Sequence, residues 1–174
     1  EAEMCGNGIR CLAKYVLERD SVHRENVSLD VETMSGVRSL EPTWRDGSVT
    51  RVRVAMGEPE LRPERIPVAL SGEIGGGPVL DFPLEVGGMN LNLTFVSMGN
   101  PHAVAFIEMP VSEFPLQHIG PEVEHHAIFP NKVNFSVVNT KEWNRAAARV
   151  WERAAGETLA CGTGACAIAV ASRL

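Results

Sequence analysis

No run of this sequence is apolar over anything close to the twenty or so residues that a bilayer-spanning helix needs. Cations are also in short supply. Sixteen Lys and Arg stand against 22 Asp and Glu, for a net charge of −6. With no basic stripe there is nothing to track a phosphate backbone or an anionic membrane, so neither nucleic acid nor membrane is expected as a partner. No leader of charged, apolar and small-residue segments is visible, although the chain starts at Glu1 rather than Met. Cysteine is scarce too. The four, Cys5, Cys11, Cys161 and Cys166, fall as two close pairs at opposite ends of the chain. A small disulfide scaffold would be far denser in cysteine, so reduced thiols and a cytoplasmic location are expected. Cys-x-x-Cys, the mark of thiol–disulfide exchange, is missing. The Cys-x5-Cys and Cys-x4-Cys spacings lack the short knuckle of a zinc site, so no metal is assigned.

What is present is an ordinary globular composition, 44% hydrophobic and 22% charged, long enough for one large or two small cores. Ile9, Leu12, Ala13, Val16 and Leu17 recur at helical spacing and predict a helix from about Gly8 to Arg19. Short alternating runs follow at Val27–Val31, Val37–Leu40 and Val49–Ala55. They are separated by Ser35-Gly36 and Asp46-Gly47 and read as antiparallel strands. Gly57, Pro59 and Pro63 then break the pattern, which divides the chain into residues 1–60 and 61–174. Beyond a Gly/Pro-rich loop at Ser71–Pro78, strands are expected at Leu91–Ser97, Ala103–Ile107, Val133–Val138 and near Ala146–Trp151. A short helix is expected at Pro121–His126. The last segment, from Gly162 on, reads as a helix apolar on nearly every side, a pattern normal for a buried helix. Cys5 lies almost at the start, and the final helix has no stop signal. Both ends therefore read as cuts through a longer protein.

The chemistry concentrates in a repeat. Met4-Cys5-Gly6-Asn7-Gly8 and Ala160-Cys161-Gly162-Thr163-Gly164 share Cys-Gly-x-Gly, each opening a predicted helix. The first N–H groups of a helix have no internal partner, and that end carries partial positive charge, so an anion is stabilised there. Glycines let a ligand approach the backbone. A cysteine in this setting has its thiolate favoured, which predicts a lowered pKa. Two such motifs facing each other would hold an amino-acid carboxylate with a sulfur on each side of its α-carbon. One thiolate would take the α-proton while the opposite thiol gives one back.

At these residues the chain resembles the diaminopimelate epimerase family. The blocks Met4–Cys11 and Ala160–Cys166 look like its two signature loops, and Ser97-Met98-Gly99-Asn100-Pro101-His102-Ala103-Val104 resembles its Gly-Asn-Pro-His segment. Val133-Asn134-Phe135 is similar to its Asn-containing strand. Glu152-Arg153-Ala154-Ala155-Gly156-Glu157-Thr158 resembles its Glu-Arg-Gly-Ala-Gly-Glu-Thr loop, with Ala154 in place of a glycine. The resemblance implies an α+β fold of two pseudo-symmetric domains, each a curved, mostly antiparallel sheet or barrel around a central helix. It also implies a homodimer that converts LL-diaminopimelate to the meso form, for lysine and peptidoglycan precursors, without a cofactor. Carried over residue by residue, Cys5 and Cys161 become the acid–base pair, with His102 and Glu152 modulating them. Gly6, Asn7, Gly162 and Thr163 bind the reacting end. Asn100, Asn134, Glu152 and Arg153 recognise the substrate's polar groups.

Against these stand plainer readings. Cys11 and Cys166 read as small buried packing residues, and the adjacent His125 and His126 as surface. His102 taken alone is a hydrogen-bonded histidine, and Arg153 taken alone a surface charge. A Cys-based zinc module remains an alternative that metal analysis would decide. So does a non-catalytic binding protein of this fold, though such a protein would be expected to lack one cysteine. The nearer rival is a proline racemase or hydroxyproline epimerase of the same fold. Those enzymes tend to carry His after the first Cys-Gly, where this chain has Asn7.

Overall fold

A computed structural model describes residues 5–19, 27–70, 76–142 and 144–174. The chain divides into two compact units, residues 1–58 and 59–174.

The first unit opens on helix α1 (Gly6–Arg19) and continues as a three-stranded antiparallel sheet, β1 (Leu29–Thr33), β2 (Gly36–Arg45) and β3 (Ser48–Val54), in that order. Asp46 (φ 50°) and Gly47 (φ 76°) both adopt the left-handed backbone of a two-residue hairpin turn, whose twist matches that of the flanking strands. The helix buries Ile9 and Ala13, one turn apart, against Leu40 of the sheet. Cys11 lies two residues on from Ile9, on the other side of the helix, and is exposed. The expectation that it packs in a core is thus overturned.

The second unit is a six-stranded sheet in simple sequence order: β4 (Phe82–Val86), β5 (Met89–Ser97), β6 (Pro101–Phe106), β7 (Asn134–Glu142), β8 (Arg145–Glu152) and β9 (Gly156–Thr158). Every neighbouring pair is antiparallel except β6 with β7. That parallel pair is joined by a crossover containing helix α2 (Leu116–Glu124), as parallel neighbours require. The helix starts before the expected Pro121, which it carries in its interior. The sequence reading did not find β4, whose alternation is interrupted by Pro83. Proline is admissible there because β4 is an edge strand. It also missed the three-residue β9. Of the expected Gly/Pro-rich loop, residues 71–75 lie outside the described residues.

The core of this unit centres on Leu93, Phe95, Phe135 and Val137 from the sheet, Val133 just ahead of β7, and Leu116, Ile119 and Val123 from α2. Helix α3 (Gly162–Ala171) packs against β5, β6 and β7 through Thr163, Gly164, Ala167, Ile168 and Ala171. Its outer face departs from the expected full burial: Ala165 and Ala169 are exposed, and Cys166 is only half-buried. Only one side of this apolar helix has a sheet against it among the described residues. None of the described helices is long and apolar enough to cross a membrane.

Candidate active site

One end of the larger sheet gathers most of the residues singled out by sequence. Strand β6 begins at Pro101 and β7 at Asn134, and because the two run parallel, His102 and Asn134 sit side by side in register. Strand β8 runs the other way and delivers Glu152 and Arg153 to the same end. Asn134 is buried and spends its amide on the backbone at both ends. Its Nδ2 donates to the Pro101 carbonyl at 2.9 Å, and its Oδ1 accepts the Arg153 N–H at 2.9 Å. It therefore staples the start of β6 to the turn after β8.

Cys161 caps α3. Its sulfur accepts the Gly164 N–H at 3.4 Å, and the Ala165 N–H reaches its carbonyl at 3.0 Å. The first motif repeats this geometry. The Cys5 sulfur accepts the Gly8 N–H at 3.3 Å, and the Ile9 N–H reaches the Cys5 carbonyl at 3.0 Å. The glycines are there for space. A Cβ on Gly8 would lie 3.3 Å from the Cys5 sulfur, and one on Gly164 would lie 3.3 Å from the Cys161 sulfur. The sequence repeat is thus also a structural repeat, with each thiol folded back onto the first turn of its helix. In the first motif Gly6 is buried and Asn7 half-buried, and the Arg10 guanidinium donates to the Asn7 side chain.

The two sulfurs differ in exposure, Cys5 being exposed and Cys161 buried. Burial pushes the Cys161 thiol up, against the expected fall. The Thr163 hydroxyl, 3.3 Å from the sulfur, and the Gly164 N–H oppose that rise, while the adjoining Glu152 carboxylate adds to it. A helix end alone would favour the thiolate, but desolvation outweighs it here. Glu152 is held in turn by the Thr158 hydroxyl across the β8–β9 hairpin.

His102 is fully buried, with Nε2 3.0 Å from the Asn100 Oδ1. Burial first, and the nearby Arg153 charge second, lower its pKa to about 3, so the ring is neutral at physiological pH. Asn100 reaches onward from Nδ2 to the Thr163 hydroxyl at 3.2 Å. Within this unit the structure therefore brings together Asn100, His102, Asn134, Glu152, Arg153, Cys161, Gly162 and Thr163. Cys161 also lines a cavity of about 310 Å³ floored by Ala148, Val150 and Ile168 and bordered by the Arg149–Glu157 ion pair.

Two residues of the site escaped the sequence reading. Thr158 is one. The other is Glu124, a buried carboxylate that accepts from the Trp151 Nε1 at 2.8 Å, the Ala154 N–H at 3.0 Å and the Lys132 ammonium at 3.3 Å. It fixes the turn that follows Glu152 and Arg153. Nothing in the sequence set Glu124 apart from any other charged residue of a short helix.

Comparison with known proteins bears on this arrangement directly. The family model for diaminopimelate epimerase matches residues 94–174. Diaminopimelate epimerases of Acetivibrio thermocellus and Methanococcus maripaludis are 49% and 48% identical to this chain over all 174 of its residues. Along its whole length the chain is thus similar to diaminopimelate epimerases. It spans 60% of the length of those two relatives. The relatives found are of the family that the five sequence blocks resemble, and the one departure among those blocks falls at a particular place. Ala154 sits at φ 63°, where the family's glycine would be unstrained.

Solved structures carry the same fold at much lower identity. A probable proline racemase from Agrobacterium radiobacter, crystallised with carbonate, superposes with a TM-score of 0.68 at 15% identity, covering 98% of this chain and 53% of that one. A hydroxyproline epimerase from Agrobacterium vitis, bound to trans-4-hydroxy-L-proline, gives 0.63 at 13% identity over 93% and 49% of the two chains. These establish the expected α+β epimerase fold and, at such identity, nothing about substrate.

Proposed function

We propose that the protein carrying this chain epimerises diaminopimelate at one α-carbon by a two-base mechanism, with Cys5 and Cys161 as the alternating base and acid and no cofactor. The observation that carries this reading is the twin thiol. Each sulfur accepts the N–H three residues on, at 3.3 and 3.4 Å, in the first turn of its own helix. Each motif thus pairs a proton-transfer group with backbone N–H groups suited to a carboxylate. As the α-proton leaves, charge passes to that carboxylate, where the donors of Gly6, Asn7, Gly162 and Thr163 stabilise it. Burial favours the thiol form of Cys161, the state from which it donates. In the reverse direction the roles exchange.

The substrate class follows from the polar wall of Asn100, Asn134, Glu152 and Arg153. A diamino diacid offers a second ammonium and carboxylate that Glu152 and Arg153 complement in charge, and proline carries neither group. His102, neutral and buried, and Glu152, beside the sulfur, modulate the thiol. The protein is proposed to act as a cytoplasmic homodimer with reduced thiols.

The test uses the intact protein in deuterated water, with each diaminopimelate stereoisomer supplied separately. At early conversion deuterium enters the product and hardly any enters recovered substrate, because the incoming proton arrives on the face opposite the one deprotonated. Cys5→Ala and Cys161→Ala each lose about 10²-fold or more in kcat, the usual scale for a general acid or base. Near-normal turnover in either variant, or equal labelling of substrate and product from the start, overturns the mechanism. Proline turned over as well as diaminopimelate overturns the substrate assignment alone.

A further inference from the structure

The Cys161 sulfur stands at the end of a chain of buried side chains. From His102 Nε2 to Asn100 Oδ1 is 3.0 Å, from Asn100 Nδ2 to Thr163 Oγ1 is 3.2 Å, and from Thr163 Oγ1 to Cys161 Sγ is 3.3 Å. All four residues are less than a tenth exposed, so water does not compete for these bonds. Hydrogen counting sets their direction. A thiolate only accepts, so the single hydroxyl hydrogen of Thr163 points at the sulfur. The Thr163 oxygen then accepts from the Asn100 amide nitrogen, and the Asn100 oxygen is left facing His102. His102 is neutral and carries one ring hydrogen, which this arrangement places on Nε2. The other ring nitrogen, Nδ1, has no hydrogen-bond partner among the described residues, in keeping with a hydrogen on Nε2. Every donor in the chain points towards the sulfur, and bonds aligned in this way reinforce one another in a dry interior.

We infer that Asn100 and His102 are positioning residues for the Cys161 thiolate, acting on it through the Thr163 hydroxyl. The inference deepens the proposed mechanism and rests on it for its purpose, but the state of the thiol can be measured with no substrate present. Other charged groups bear on the same sulfur. The Glu152 carboxylate adjoins it, and the Arg149–Glu157 ion pair borders the cavity it lines. None of these is altered in the variants below, so a difference between variants reads the chain alone.

The experiment measures the rate of Cys161 alkylation by iodoacetamide as a function of pH in the intact protein, resolved by peptide mass spectrometry. Thr163→Val removes the donor and raises the apparent thiol pKa by about one unit, a tenfold smaller thiolate fraction, on the usual scale of a hydrogen bond to a charged group. Thr163→Ser keeps the hydroxyl and stays within a few tenths of wild type. Asn100→Leu raises the pKa in the wild-type background and adds nothing in the Thr163→Val background, because its effect travels through the missing hydroxyl. A Thr163→Val value equal to that of Thr163→Ser, or an undiminished Asn100→Leu shift in the double variant, overturns the inference. Should Thr163→Val fail to fold, Asn100→Leu and Thr163→Ser decide it. A shift in the first with none in the second upholds the chain, and an Asn100→Leu protein with a wild-type thiol overturns it. Turnover is assayed separately. A working thiol chain in a protein that does not epimerise diaminopimelate would sink the functional reading and leave the chain standing.

Discussion

Ala154 is a small residue in a place built for a smaller one, and Ala154→Gly tests what that costs. Its φ of 63° lies in the left-handed region, where an L residue pays roughly 1–2 kcal/mol for the clash of Cβ with its own carbonyl. Glycine removes that cost. It also gains freedom in the unfolded chain, which takes back about 0.4–1 kcal/mol. The Ala154 methyl is exposed, so no packing is lost, and the N–H that Glu124 accepts at 3.0 Å is retained. The difference favours glycine by about 0.5–1 kcal/mol. Urea denaturation of the intact protein at neutral pH should therefore move to a higher midpoint with an unchanged slope. A midpoint lowered by a comparable amount would refute the reasoning, since it would mean that backbone entropy outweighs the strain or that the turn is not left-handed in solution. Ala154→Val supplies the opposite sign, because a β-branched side chain tolerates this φ least.

Two further outcomes follow from neighbouring groups. Glu124→Gln places one NH₂ where both carboxylate oxygens now accept, from Trp151 on one side and Ala154 on the other. A donor then faces a donor, and the expected loss is about 1–3 kcal/mol of stability, together with reduced kcat as the turn holding Glu152 loosens; unchanged stability would show that the carboxylate is not what fixes this turn. His102, with its pKa lowered to about 3 by burial and by Arg153, binds no proton in the fold between pH 3 and 6.5, whereas the unfolded chain does. Stability from this group is therefore complete above pH 6.5 and is lost as pH falls through that window, on the order of 5 kcal/mol in full. Titration of the assigned His102 imidazole NMR signal near pH 6.5 in the native protein would contradict it.

How far the sequence foretold this structure differs from element to element. Helix α1 and strands β1, β2, β3, β5, β6, β7 and β8 were legible because each carries its own period and its own turn residues, with Asp46-Gly47 the clearest of them. Strand β4 was hidden by Pro83, whose tolerance depends on being at a sheet edge, a fact of topology rather than of local pattern. The exposure of Cys11 was missed because position along a helix was weighed without the face it occupies. The fall expected for the Cys161 pKa considered the helix end and ignored burial, which only tertiary packing supplies. The candidate site residues stand out in the sequence as types in ordered motifs. The partners that hold them, Thr158 and Glu124, do not, because their roles arise from contacts between strands and helix that no short motif encodes.

The parallel pairing of β6 and β7 has a consequence for how this sheet can vary. It places the turn before β6, the start of β7 and the turn after β8 at one end. The β4–β5 and β7–β8 hairpins and the segment leaving β6 lie at the other. Insertions or labels at Gly87-Gly88, where a hairpin tip is exposed, are thus separated from the thiol by the whole length of the strands. This sheet has one rim that carries the candidate site and one that does not, and changes in length are expected to be tolerated on the second.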